Sequence, residues 1–352
     1  MNPRYLVLIG LACMALAASL YGQVVRHDEL AVGSRTVLIA SDATSAQLSA
    51  YTLKAGVLEQ VPLSPFANVA DPQLFAVDPS KRRLYVANTD NTISGYRYDG
   101  NNQFTLEPLP GSPYSTTTLF GPFAVILDSV HELLYVSDLN VSAVTAFRID
   151  RDSGSLKQVP GSPFTCGRGP VGMVLDKTRG FLYTANEFDG NISGFRVNFA
   201  TGVLSAMPTS PYVASGQPQF LALDERHHVL YATAPPDNKL WIYSVLLDGS
   251  LLPTHNSPLT LDSALEDIIL SSDGGRLYGT AYLDNSVVGY RVDFHSDSMT
   301  QVPGSPFPVG TYPLKLTFDP TEHFVYVSNA LSDDISGFGV AASGELISLL
   351  SG

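Results

Sequence analysis

Hydrophobic positions along this chain come in short runs, each broken after four to eight residues by Gly, Pro, Asn, Asp or Ser. No stretch keeps the three-to-four-residue spacing of an amphipathic helix. Within one unit, Pro72–Asp78 is an apolar run stopped by a turn signal. Arg82–Asn88 is a second run, with the Tyr and Val that favour strands, and Thr92-Ile93-Ser94-Gly95-Tyr96-Arg97-Tyr98 alternates apolar and polar. Asp99–Asn102 is a turn, and Phe104-Thr105-Leu106 opens a fourth run that ends at Gly111-Ser112-Pro113-Tyr114. The pattern predicts four short strands, A to D, joined by tight turns.

The unit repeats. Leu84-Tyr85-Val86-Ala87-Asn88 returns with its tyrosine at 135, 183, 231, 278 and 326, spacings of 50, 48, 48, 47 and 48 residues, and a fainter copy lies at Val37–Ser41. A period of this size marks a repeat architecture in which neighbouring units share a core. Turn residues keep register with the tyrosine. Prolines stand at 72, 122, 170, 218 and 313, with Leu265 the departure, and aspartates at 78, 128, 176, 224 and 319, with Ser271 the departure. An aspartate at a turn can bond backbone two residues on, so this is turn chemistry. Seven units of four antiparallel strands predict an all-β, seven-bladed β-propeller over residues 36–352, which leaves only short, protected sheet edges. The first unit shows strands B, C and D but no clear strand A. Residues 24–32 lack the Pro and Asp, so the first blade is expected to hold three good strands with 24–32 as a poor fourth.

The composite unit Gly-x-x-Pro…Asp-Pro…Leu-Tyr-Val-x-Asn…Ile-Ser-Gly-Tyr…Gly-x-Leu…Gly-Ser-Pro-Phe resembles the seven-bladed lactonase-like propellers. That group includes bacterial 6-phosphogluconolactonase-type proteins and the Tyr-Val-Thr-Asn repeat proteins of cell surfaces. The resemblance covers residues 36–350 and is carried by blade-building residues. It implies either a binding or scaffold propeller, or a lactone hydrolase working from a polar pocket of His, Arg and Glu side chains on one face. No motif in this chain marks those pocket positions.

The charged balance adds little about chemistry. A net charge of −13 argues against a nucleic-acid or anionic-membrane surface. Residues 1–22 read as a signal peptide, with Arg4 followed by an apolar run to Leu20 and small residues at Ala15, Ala17, Ala18 and Gly22. Residues 23–35 then form an N-terminal segment. The chain is accordingly expected to be exported, to the periplasm, cell surface or medium, as a monomer with no membrane span after cleavage. Cleavage leaves Cys166 as the lone cysteine, so no intrachain disulfide is expected.

In a propeller of this order strand A lines the channel, and the D–A and B–C loops share the face where a ligand enters. Arg168 lies between Gly167 and Gly169 on a D–A loop, Glu187 on the next B–C loop, and Glu266 at the channel end of a strand A. A hydrolase would use Arg168 to hold an oxyanion or carboxylate and Glu187 or Glu266 to activate water. Asn186, Asp138, Asp267 and Asp284 are further candidates for ligand binding, although Asn and Asp are also ordinary turn residues. No phosphate-binding loop, nucleophile elbow or metal-ligand spacing is present, and neither cofactor nor metal is expected. Blade regularity without a catalytic constellation favours a binding or scaffold propeller whose partner at the mouth is an unidentified small molecule, carbohydrate or protein; lactone hydrolysis is the alternative.

Overall fold

The computed structural model describes residues 21–26, 36–42, 45–54, 57–68, 70–99, 104–115, 118–294 and 298–349. They form seven antiparallel sheets of up-and-down strands, A innermost and D outermost. Inner strands of successive blades pack against one another around a central channel. Blades 2 to 7 begin with strand A at Pro72–Asp78, Pro122–Asp128, Pro170–Asp176, Leu221–Asp224, Leu265–Leu270 and Pro313–Phe318. In the first six blades a two-residue fifth strand, such as Phe164–Thr165, pairs with strand C beside D, while the seventh has four strands only. Among the described residues, the sole helical element is a single turn at Pro235–Asp237, and no helix is long and apolar enough to cross a membrane.

The first blade departs from expectation. Its strand A exists and is Tyr21–Arg26, paired from Tyr21↔Ser41 to Arg26↔Thr36. It lies between the inner strands of blades 7 and 2, so it closes the ring. The expected poor strand at 24–32 overlaps it only at 24–26; residues 27–35 lie outside the described residues, as does the predicted signal peptide up to residue 20. The pairing needs neither the Pro nor the Asp of the other units, because backbone ladder bonds and neighbouring inner strands hold it there.

The repeated tyrosine is a staple between blades. Its ring lies across the glycine of strand C, so a Cβ at Gly289 would sit 2.8 Å from the Tyr278 ring. Its hydroxyl donates to the carbonyl of a glycine in the next blade's C–D turn: Tyr85 to Gly154 at 2.7 Å, Tyr183 to Gly249 at 2.6 Å and Tyr278 to Gly344 at 2.7 Å. Those glycines have φ of +80°, +89° and +88°, a region that side chains disfavour. The asparagine ending strand B is equally structural. Asn88, Asn186 and Asn329 are fully buried and donate to Ser94, Ser193 and Ser336 of strand C at 2.8–2.9 Å. The aspartate ending strand A accepts the N–H groups of its own turn, as Asp176 does from Thr178 and Arg179. The serine of each Ser-Pro step accepts a strand C N–H, Ser210 from Gly194 at 2.9 Å.

A second staple between blades joins neighbouring inner strands at the channel wall. A strand B hydroxyl donates to a carbonyl on the next blade's inner strand: Ser137 to Val171 at 3.1 Å, Thr233 to Glu266 at 3.1 Å, and Thr280 to Leu314 at 3.2 Å. Blade 4 has Ala185 at that position. There the Gly172 N–H donates directly to the Gln219 carbonyl at 2.8 Å.

Candidate functional site

One arc of the channel, built by blades 4 to 7, concentrates ionisable groups. The wall residue eleven positions before each repeat tyrosine is Leu74, Ala124, Gly172, Phe220, Asp267 and Lys315 in blades 2 to 7. Blades 2 to 5 therefore present uncharged residues, and blades 6 and 7 present opposite charges side by side. Lys315 Nζ lies 3.0 Å from Asp267 Oδ1 and 3.1 Å from the centre of the Phe220 ring. Both residues of the pair are buried, at 9% and 8% exposure. Burial lowers the ammonium's affinity for its proton and raises the carboxyl's, and each partner opposes the other's shift. In a buried pair of this geometry, with the cation seated on an aromatic face, removing either partner strands the other.

One residue earlier on the same wall stand Gln219 and Glu266. Glu266 keeps partial exposure. Burial is the largest influence on its carboxyl and carries it from 4.5 to about 7; Lys315 pulls it down, while Glu187 and Asp267 push it up. Glu187 follows the buried Asn186 at the end of blade 4's strand B and is 3% exposed. Its Oε1 accepts from Gln219 Nε2 at 3.2 Å, while its Oε2 and Gln219 Oε1 have no hydrogen-bond partner. Burial raises the Glu187 carboxyl and the Gln219 amide opposes it. Gly172 permits this arrangement: a Cβ there would come within 2.5 Å of the Gln219 carbonyl and 2.9 Å of Phe220 Cα, both backbone atoms.

Of the three candidate catalytic residues, the structure brings Glu187 and Glu266 into electrostatic reach and leaves Arg168 out. Arg168 is held outside by Asp189, which accepts from its Nε at 2.6 Å and from its backbone N–H at 2.7 Å; the side chain is 71% exposed. Glu187 pairs with Gln219 instead. Among the ligand-binding candidates Asp267 belongs to the cluster. Asn186 is buried between strands B and C, and Asp284 is an exposed loop residue. Asp138 is fully buried at the end of blade 3's strand B, where it accepts the Phe120 N–H at 2.7 Å, and burial lifts its carboxyl to about 6. Burial pushes the Cys166 thiol up to about 12, which removes it as a nucleophile near neutral pH. Trp241 is buried and donates to the Ser215 carbonyl at 2.9 Å, so it packs.

Sequence reasoning missed Lys315 and Gln219. Both carried a signal. Opposite charges at the same repeat position of adjacent blades, Asp267 and Lys315, are an ion pair written in the alignment of the units. Gln219 stands at the repeat position of Glu266, one blade back.

The comparisons with known proteins agree with the repeat pattern. The family model described as "Lactonase, 7-bladed beta-propeller" matches residues 248–351, which hold blade 6, blade 7 and the last two strands of blade 5. No curated protein matches the sequence. Among solved structures, a Bacteroides fragilis protein carrying the provisional name 6-phosphogluconolactonase superposes with a TM-score of 0.75 at 18% identity, over 92% of this chain and 96% of that one. The periplasmic gluconolactonase of Pseudomonas aeruginosa gives 0.70 at 20% identity, over 94% and 96%. A chain of the hydrazine synthase of Kuenenia stuttgartiensis gives 0.63 at 14%, over 87% and 92%. The chain is thus similar to the lactonase-like propellers, and it shares their seven-bladed fold. Proteins of unlike chemistry share that fold too, so function has to be argued from the channel cluster.

Proposed function

We propose that this protein hydrolyses a lactone at the channel, with Glu266 as the general base. The observation that carries the reading is Glu266 itself: a partly exposed carboxyl on an inner strand, pushed up to about 7 by burial and by Glu187 and Asp267, on a wall that also carries a buried cation. A base works best when its pKa lies close to the working pH, and such displaced carboxyls concentrate at sites of chemistry. The similarity to the lactonase-like family model and to a protein named gluconolactonase supports the choice of ester.

In this reading Glu266 takes a proton from water as the water oxygen bonds to the lactone carbonyl carbon. The oxyanion that develops is favoured by the positive potential of Lys315 on the same arc. Collapse breaks the bond between the carbonyl carbon and the ring oxygen, which takes the proton back from Glu266. The product is the open hydroxy acid. Glu187 and Gln219 orient the substrate.

Gluconolactone hydrolysis, followed as acid release above the spontaneous rate, tests this. The protein should turn the lactone over with a rate that rises as pH approaches about 7 and levels above it, following the Glu266 carboxylate. Glu266→Gln should lose roughly a hundredfold or more in kcat, the usual worth of a general base. Turnover unaffected by that change refutes the assignment, and the absence of turnover on gluconolactone and other lactones returns the protein to the binding or scaffold reading.

A further inference from the structure

We infer that the outer edge of blade 7 is a docking site for an extended Ser-Pro-aromatic segment of another polypeptide, which adds there as the fifth strand that this blade lacks. The inference is independent of the hydrolase reading. It rests on a contact that the molecule makes six times within itself.

In blades 1 to 6 the fifth strand is laid down in one way. The serine of a Ser-Pro step accepts an N–H from strand C, as Ser112 does from Gly95 at 2.9 Å, Ser210 from Gly194 at 2.9 Å and Ser305 from Gly289 at 3.1 Å. The residue two places later, aromatic in five of the six blades, pairs with the strand C residue two places earlier: Tyr114↔Ile93, Tyr212↔Ile192 and Phe307↔Val287. Its ring also covers the glycine, so a Cβ at Gly194 would meet the Tyr212 ring at 3.0 Å. Under this cover Ile93, Ile192 and Val287 are fully buried.

Blade 7 keeps the receiving half of the contact. Its strand C, Asp334–Val340, carries Ile335-Ser336-Gly337-Phe338, the same four residues as Ile192-Ser193-Gly194-Phe195 of blade 4. Strand B pairs with it from Phe324↔Gly339 to Asn329↔Asp334, whereas strand D covers only Phe338–Val340 on the other side. Among the described residues, nothing pairs with Asp334 or Ile335 on that side and no serine accepts the Gly337 N–H. Ile335, Ser336 and Gly337 are accordingly half-buried, where Ile192, Ser193 and Gly194 are buried.

An open strand edge with unused backbone groups takes up another strand. Which strand it takes is set by what the same four residues receive in blade 4: a serine oxygen for the glycine N–H and a ring two residues on. All six Ser-Pro steps of this sequence are engaged in their own blades, so neither this chain nor a second folded copy has one to lend. The occupant is therefore a segment of a different polypeptide.

The probe is a fluorescently labelled peptide copying residues 302–310, Val-Pro-Gly-Ser-Pro-Phe-Pro-Val-Gly, titrated against the whole protein by anisotropy. It should bind saturably and slow amide exchange across residues 334–337. As unlabelled competitors, the peptide with Phe307→Ala should be at least about tenfold weaker, because the ring supplies most of the buried apolar area, and the peptide with Ser305→Ala about two- to tenfold weaker. Ile335→Glu in the protein sets a charge where the ring lands; it should abolish binding while leaving the thermal transition in place. No saturable binding, or binding indifferent to Phe307→Ala or to Ile335→Glu, overturns the proposal. Slow exchange at 334–337 in the free monomer overturns it too, because the chain then covers the edge itself. A dimer that Ile335→Glu breaks also overturns it, by giving the edge to a second copy.

Discussion

The Glu266 environment has a consequence for stability that needs no substrate. In the unfolded chain this carboxyl ionises around 4.5, and in the folded protein around 7. Between those values the folded state holds a proton that the unfolded state has released. Stability therefore falls as pH rises through this window and is flat above it; below 4.5 both states are protonated and the penalty vanishes. Each unit of pKa is worth about 1.4 kcal/mol, so the full penalty approaches about 3 kcal/mol at pH 8 and is about 1 kcal/mol at pH 5. The residue is partly exposed, so solvent screening makes these figures ceilings. Glu266→Gln keeps the shape of the protonated acid and removes its ionisation. The variant should be more stable than the parent by up to about 3 kcal/mol at pH 8 and by about 1 kcal/mol at pH 5. Denaturant unfolding of both proteins at the two pH values measures this directly. A difference that does not change with pH, or a variant less stable at pH 8, refutes the account of why Glu266 is displaced. Confirmation would fit a base kept at the expense of stability, the trade-off expected where a polar site interrupts a packed wall.

Two further outcomes follow from the same wall and its staples. Lys315→Met should destabilise by about 3–5 kcal/mol in denaturant unfolding, because Asp267 is left buried without its cation; adding Asp267→Leu should restore most of the loss, and failure to do so means the pair is not the reason. Tyr183→Phe, which leaves the Gly249 carbonyl without its donor, should cost about 1–2 kcal/mol in thermal or denaturant unfolding; no measurable change would mean that the hydroxyl bond to the next blade contributes nothing.

The sequence by itself determined the architecture. The spacing of Tyr85, Tyr135, Tyr183, Tyr231, Tyr278 and Tyr326, with Pro, Asp and Ser-Pro in register, was sufficient because blade-building interactions are local and repeat in every unit: an Asp on its own turn, a Ser on its own strand C, an Asn on the serine seven residues or so along. It also singled out Glu187, Glu266 and Asp267 as candidate site residues. Tertiary structure decided what those charges meet. Glu187, Gln219, Glu266, Asp267 and Lys315 come from four blades, and only the closure of the ring sets them on one arc. Arg168, close to Glu187 in the chain, turned instead to Asp189, because an exposed arginine takes the nearest carboxylate its backbone allows. The inner strand of the first blade was likewise set by its neighbours: Tyr21–Arg26 lacks the turn residues of the other units and is held by its ladder to Thr36–Ser41 and by the blades on either side. Burial, too, belongs to the assembled ring. A carboxyl near 4.5 in the chain becomes one near 7 only when the walls of neighbouring blades take water away from it.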